Sequence, residues 1–391
     1  MTRNVFAALA AAALAASAAS AQTQGVTDDE VVIGAHTDLS GIFASFGAPS
    51  VRAAQLYFDE VNAAGGVHGR TIRYVVEDTG YQVPKAVQAT NKLVNRDEIF
   101  AMVLALGTPH NIASFRLLDR KGIHNVMPVT AARQMLSDPI DNKWAGLASY
   151  YDGMRALTRY MHETEGSSKF CAMYLPTDFG QEVIDGVREE AEALGVEFLA
   201  ETTHKPDEVD FVGSLSRLRE AGCDTVALAL GLRQVIATLG TAKKLGWTEG
   251  VDFIGSSAAM HTVVAKVPGG VTDGFIVSAG WQDIEGRLDD PAVAEWVAKY
   301  REATGEDLPG TGALLGRMGA ETFVRALEAA GRDLTSDSFR EAMYTLDYHD
   351  PIGGLQVTYG PEDHQGGDAI YVSRIEDGSW TVIGEMEPAM N

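Results

Sequence analysis

Apolar positions along this chain fall into two alternating patterns, and the alternation predicts the architecture. Short, nearly unbroken apolar runs occupy residues 31–35, 71–76, 99–106 and 124–127. Each has the length of a strand buried on both faces. Between them, residues 49–64 carry Val51, Ala54, Phe58 and Val61 at helical spacing, and residues 84–95 carry Ala86, Ala89, Leu93 and Val94 likewise. Gly65 and Gly66 end the first of these helices. A second series starts after Ser149, Tyr150 and Tyr151, with a leading helix at 152–163. It predicts strands at 169–175, 196–200, 225–230, 251–254 and 274–277, with helices at 181–194, 211–221 and 233–245. Helices at 291–304, 313–330 and 336–346 follow, and strand-like pieces lie near 355–359, 369–375 and 380–383. Strands alternating with helices of this length indicate an α/β fold with parallel sheets covered on both faces. No low-complexity linker separates the two series, which suggests two similar lobes joined by short crossovers across a cleft.

In such sheets ligands collect at the carboxyl ends of the strands. One strand end stands out: residues 104–111 read Leu-Ala-Leu-Gly-Thr-Pro-His-Asn. Gly107 breaks the strand, and Thr108 then Pro109 combine a capping hydroxyl with a proline suited to the first helical position. The helix expected over 111–121 sends Ile112, Phe115, Leu117 and Leu118 toward a core. A strand ending in Gly-Thr that opens a helix aims backbone donors and a positive dipole end at a crevice, which suits a carboxylate. Taken alone, the stretch reads more simply as an ordinary βα turn.

Length and charge narrow the classes. The 391 residues suit two lobes rather than one small domain. Residues 1–21 carry one early cation, Arg3, then an Ala-rich apolar run ending in Ala19-Ser20-Ala21. That is the pattern of a cleaved secretory signal peptide and predicts an exported, periplasmic protein. A net charge of −23 opposes nucleic acid and anionic lipid as partners. Any anionic ligand must therefore be held by local donors. Cys171 and Cys223 both fall at strand positions; they form either one disulfide or two separately buried thiols, and the second is the expectation. Metal-site, phosphate-loop and serine-hydrolase motifs are absent, so no cofactor and no metal are expected. Asp38, Asp78 and Asp178 near strand ends are expected to serve turns and caps rather than acid–base chemistry. Ser256 with His261 is the one pairing that a hydrolase reading could use.

The ordered segments V-V-I-G-A-H-T-D-L-S-G, A-A-G-G-V-H-G-R-T-I, L-A-L-G-T-P-H-N and V-M-P-V-T-A-A-R, then Y-L-P-T-D-F-G-Q-E and H-Q-G-G, carry a resemblance. Together they resemble the type I periplasmic solute-binding proteins of ABC importers, in the leucine/isoleucine/valine-binding branch with a G-T-P-x-N loop. The resemblance implies two Rossmann-like lobes joined by a three-crossover hinge. The N-terminal lobe would take 26–147 plus 278–345, and the C-terminal lobe 148–277 plus 346–391. It also implies a monomeric receptor without catalytic activity. The receptor would close on a small carboxylate and deliver it to permease transmembrane subunits with a cytoplasmic ATPase.

Carried onto this sequence, the resemblance puts ligand contacts at Gly107, Thr108, His110 and Asn111 and at Thr130, Ala131 and Ala132. Phe179 would face the ligand from the second lobe, and Tyr150 or Tyr151 from the first crossover. One departure bears on the ligand. Amino-acid-binding members pair the ammonium with an acid after the strand matching 251–254, where this chain reads Gly255-Ser256-Ser257-Ala258. A desolvated ammonium without an anionic partner costs several kcal/mol. Arg233, after the strand at 225–230, is expected to bring a cation toward the cleft, beside Ser257. The expected ligand is an organic or aromatic acid without a free α-amine. A branched-chain amino acid is the alternative, with Asp252 or Asp283 supplying the acid, and a periplasmic sensor is the alternative role.

Overall fold

The computed structural model describes residues 23–386; the expected signal peptide at 1–21 lies outside them. The first series comprises β1 (Glu30–Thr37), α1 (Ala44–Ala63), β2 (Thr71–Asp78), α2 (Val83–Asn95), β3 (Ala101–Val103), α3 (Thr108–Lys121), β4 (His124–Val126) and β5 (Lys143–Trp144). Its strands form a five-stranded parallel sheet in the order β2-β1-β3-β4-β5. The second series runs α4 (Tyr150–Tyr160), β6 (Lys169–Tyr174), α5 (Asp178–Leu194), β7 (Glu197–Thr203), α6 (Val212–Ala221), β8 (Thr225–Ala229), α7 (Leu232–Lys244), β9 (Asp252–Gly255), α8 (Thr262–Ala265) and β10 (Ile276–Ala279). After it come α9 (Pro291–Thr304), α10 (Thr311–Ala330), α11 (Ser336–Met343), β11 (Asp347–Asp350), β12 (Leu355–Thr358), β13 (Ile370–Glu376) and β14 (Ser379–Met386).

The second sheet has seven strands in the order β14-β13-β10-β9-β8-β6-β7. Strands β6 to β10 are parallel, and β13 and β14 extend that sheet as an antiparallel edge. The chain leaves the first sheet at 145–149, returns through 280–290 to helices packed on that sheet's side, and rejoins the second sheet through 359–369, three passages in all. This is the two-lobed α/β architecture that the alternating pattern predicts.

Helix α10 returns to the first sheet's side and packs tightly on α1. A Cβ on Gly316 would collide with the Ser50 carbonyl, and one on Gly312 would lie 2.5 Å from the Phe46 carbonyl. Only glycine lets the two backbones approach this closely. The β11–β12 ribbon stands apart from the seven-stranded sheet. Its Tyr348 hydroxyl bonds Thr322 of α10 at 2.9 Å, and Arg287 donates to the Pro351 and Ile352 carbonyls at 2.7 Å. Tyr359, just beyond β12, donates its hydroxyl to the Ala145 carbonyl at 3.0 Å.

Three local expectations change. Cys171 and Cys223 form a disulfide, with Cα atoms 5.9 Å apart, rather than two separate thiols. Cys171 lies on β6 and Cys223 just before β8, and the sheet sets these two strands side by side. The expected strand at 99–106 is regular only over Ala101–Val103, because Leu104 turns to φ 63°. Helix α3 starts at Thr108 rather than 111, with Gly107 as its N-cap at φ 101°. Thr108 is thus the first helical residue, and its hydroxyl is free for another partner.

Candidate functional site

A cavity of about 70 Å³ lies between the two lobes, where the ends of strands from both sheets meet. One water needs about 10–15 Å³ on this measure, so the cavity holds roughly five to seven water-sized groups. The first lobe contributes the aromatic rings of Phe43, Phe46 and Tyr81, and the strand-end residues Leu104, Leu106, Gly107, Thr108 and Met127 to Ala131. The crossovers add Gly146, Leu147, Tyr150 and Trp281, the second lobe adds Phe179, Ser257 and Ala258, and α10 adds Leu315.

The polar end is built from hydroxyls. Thr108 Oγ1 and Thr130 Oγ1 lie 2.6 Å apart, both buried. In such a pair one hydroxyl donates, and the accepting one keeps its own hydrogen for a further acceptor. The Tyr150 hydroxyl stands beside Thr130 and the Ala131 backbone, and burial pushes its pKa up, so it stays a neutral donor. The N-terminus of the 14-residue helix α3 opens here and adds its positive end. Among the residues lining the cavity none is acidic.

Three wall residues hold strained backbone. Tyr81, Leu104 and Met127 take left-handed conformations, with φ of 56°, 63° and 49°. For bulky side chains this costs about 1–3 kcal/mol each and persists only where the surroundings enforce it. Each sits at or shortly after the end of a strand of the first sheet, where an ordinary extended continuation would carry the chain past the cleft.

Of the residues expected at the site, Gly107, Thr108, Thr130, Ala131, Tyr150, Phe179 and Ser257 line the cavity. His110, Asn111, Ala132 and Arg233 do not. His110 turns behind the wall and packs against Tyr81 at 4.6 Å between ring centres, with His36 at 6.4 Å. Burial lowers the pKa of His110 to about 4 and that of His36 to about 3, so both are neutral supports. Asn111 donates its amide to the Ala105 and Gly107 carbonyls at 3.1 and 2.9 Å, and accepts from Asn125 at 3.1 Å. It braces the loop, because one helical turn after Gly107 its side chain points back at the strand end. Ala132 is buried at the start of a short turn. Arg233 is exposed on α7, and its neighbour Gln234 is the buried residue, tying the Gly231 N–H and the Lys205 carbonyl.

Sequence reading missed Tyr81, Leu104, Met127, Trp281 and Leu315. Only Trp281 carried a signal, for it follows the end of β10 as Thr108 follows β3. Asp252 opens β9 at the far end of the sheet, and neither it nor Asp283 lines the cavity. Asp283 is buried, which raises its pKa to about 6.

Among the described residues, two further bridges cross the cleft besides the aromatic edges. Glu182 of α5 is fully buried and accepts from the Arg133 backbone N–H and Nε, at 2.9 and 3.0 Å. Arg133 Nη2 and Gln134 Nε2 complete the set at 3.2 and 3.1 Å, and the guanidinium lies 3.3 Å over the Tyr151 ring. The second bridge uses a defect in α1. Pro49 lies inside that helix and has no N–H, so the carbonyl four residues back, on Ser45, loses its helical partner. His261 supplies a substitute from the second lobe: its Nε2 meets the Ser45 carbonyl at 3.1 Å, while Nδ1 accepts from Val263 N–H at 3.0 Å. Both nitrogens of His261 are engaged, so it forms no nucleophile–base pair with Ser256, against the hydrolase reading.

A binding cleft between two hinged α/β lobes, with donors at strand ends, defines a solute-binding receptor. The family model described as "Periplasmic binding protein" matches residues 30–379, and the chain belongs to that family. It is similar to a Leu/Ile/Val-binding protein homolog 8 from Brucella abortus, 23% identical over 378 residues, covering 90% of each chain. It also matches an amino acid binding protein of Pseudomonas aeruginosa at 25% identity over 197 residues, half of this chain, and spans 53% of that relative. Among solved structures, a fatty acid ABC transporter substrate-binding protein from Thermomonospora curvata superposes with a TM-score of 0.83 at 25% identity. That match covers 94% of this chain and 95% of the other. No helix among the described residues is long and apolar enough to cross a membrane.

Proposed function

We propose that this protein is the extracytoplasmic receptor of an ABC importer, and that its solute is a small apolar or aromatic monocarboxylate without a free amine. The observation that carries this reading is a buried donor cluster, Thr108, Thr130 and Tyr150, in a cavity whose lining has no acid. The carboxylate accepts from the hydroxyls and the α3 N-terminus, and the phenyl rings enclose the apolar body. A ligand ammonium would be left desolvated and unpaired, at a cost of several kcal/mol. The relative named for leucine, isoleucine and valine keeps those amino acids as the alternative solutes, and the second is named for amino acids in general; the neighbour named for fatty acids favours the acid reading.

In this reading the lobes, expected at 26–147 with 278–345 and at 148–277 with 346–391, comprise 26–144 with 291–358 and 150–279 with 370–386, because the β11–β12 ribbon packs on α10, and they bend about the three passages. Ligand closes them, and the Glu182 and His261 bridges hold the closed form for a membrane permease driven by a cytoplasmic ATPase. The protein is exported by cleavage after Ala21, works as a monomer and catalyses no reaction. Calorimetric titration of the purified protein with benzoate, short aliphatic acids and leucine tests the ligand class. Binding of the acids with none of leucine is expected; tight leucine binding without the acids overturns it.

A further inference from the structure

Besides the hydroxyls, the cavity wall contains a buried donor without a partner. Trp281 is 3% exposed and lines the cavity, and its indole Nε1 is buried without a hydrogen-bond partner. Two other buried indoles are satisfied: Trp144 Nε1 donates to His124 Nδ1 at 3.0 Å, and Trp380 Nε1 donates to the His261 carbonyl at 3.2 Å. An indole N–H is donor only and is usually paired when buried. Trp281 belongs to the second passage between the lobes, whereas the hydroxyl cluster belongs to the first sheet and the first passage. No hydrogen bond connects the two groups, so they define separate polar points in one apolar cavity.

We infer that Trp281 reads a second hydrogen-bond acceptor on the ligand, so that the preferred solute is an acid carrying a hydroxyl, oxo or further carboxyl oxygen apart from its anchoring carboxylate. This rests on the carboxylate reading above and narrows it. A ligand lacking that oxygen leaves the indole N–H unpaired when the cleft closes. One that supplies it completes the wall. Discrimination of this kind is strong because the penalty falls on the site rather than on the ligand alone.

Titration of the full-length mature protein with matched pairs tests it: benzoate against its three hydroxy isomers, and pentanoate against 4-oxopentanoate. At least one substituted acid is expected to bind roughly tenfold or more tightly than its parent. Trp281→Phe keeps the ring and removes the N–H. It should reduce that preference to about twofold or less. Parents that bind as tightly as every substituted acid, or a preference that survives in Trp281→Phe, overturn the inference and leave the carboxylate reading standing. Failure of every acid to bind overturns both. Should the variant not fold, the side-chain N–H resonances of the five tryptophans in the wild-type protein supply the answer. The Trp281 signal should move downfield with the favoured acid and not with its parent, and an unmoved signal overturns the proposal.

Discussion

The two walls of the cleft are built differently. The first lobe presents Thr108 and Thr130, the opening of α3, and strained backbone at Tyr81, Leu104 and Met127. The second lobe presents Phe179, Ser257 and Ala258 on regular backbone. Strain and buried hydroxyls fix donors in place before a ligand arrives, at a cost to stability that only a binding role repays. The opposite wall offers a ring and small residues, which suit a surface that arrives second and excludes water. Phe179 meets Phe43 edge-on at 5.8 Å and Tyr150 at 5.4 Å, so its contacts are completed by the facing lobe. The comparison teaches that one wall grips and the other covers.

Substitutions on the gripping wall should have the largest effect. Thr108→Val with Thr130→Val removes the hydroxyl pair and with it the one free donor it offers a charged group, worth up to about 3 kcal/mol. Affinity for every acid should fall by about a hundredfold in calorimetry, with the melting temperature nearly unchanged; a loss confined to some acids breaks the comparison. Phe179→Ala on the covering wall should cost less, about tenfold, from lost ring burial. That loss should appear in the dissociation rate measured by stopped flow, and a loss in the association rate alone would contradict it.

A smaller effect concerns acid. Burial lowers the pKa of His261 in the closed form, while the open form lets the ring approach its ordinary value near 6.5. The closed form therefore binds fewer protons, so its stabilisation is complete above that pH and is lost as pH falls below it. Affinity should drop several-fold from pH 7.5 to pH 5. His36 and His110 titrate in the same direction, so the comparison is with His261→Gln, whose profile should be flatter than wild type. Equal profiles would remove His261 from closure. The smallest effect belongs to Arg233→Ala, an exposed position on α7, which should change affinity for any ligand less than twofold. A selective loss there would restore the cation that sequence reading placed in the cleft.

How much was legible follows from which residues act through local chemistry. The strand–Gly-Thr-Pro–helix signal points to a loop that lines the cavity, because glycine, threonine and proline have fixed backbone roles at a helix start. The same signal misassigned His110 and Asn111, since it says nothing about which side of the helix faces the cleft. Arg233 failed for a similar reason: one residue of helical rotation exchanged a buried Gln234 for an exposed arginine. In the sequence, Leu104, Met127 and Leu315 look like ordinary core. The disulfide was unreadable because it depends on strand order, not on spacing.

By itself, the sequence determined the alternation of buried strands and helices, the two-lobed α/β class and the acid-free loop at 255–258. Each is a property of a few neighbouring residues and the period at which their side chains repeat. The tertiary structure alone decided which strand ends share a cavity, that Cys171 meets Cys223, and that His261 replaces the hydrogen bond Pro49 removes. It also left the Trp281 N–H buried against the cavity without a partner. These are contacts between residues tens to hundreds of positions apart, and they depend on the order in which strands and lobes come together.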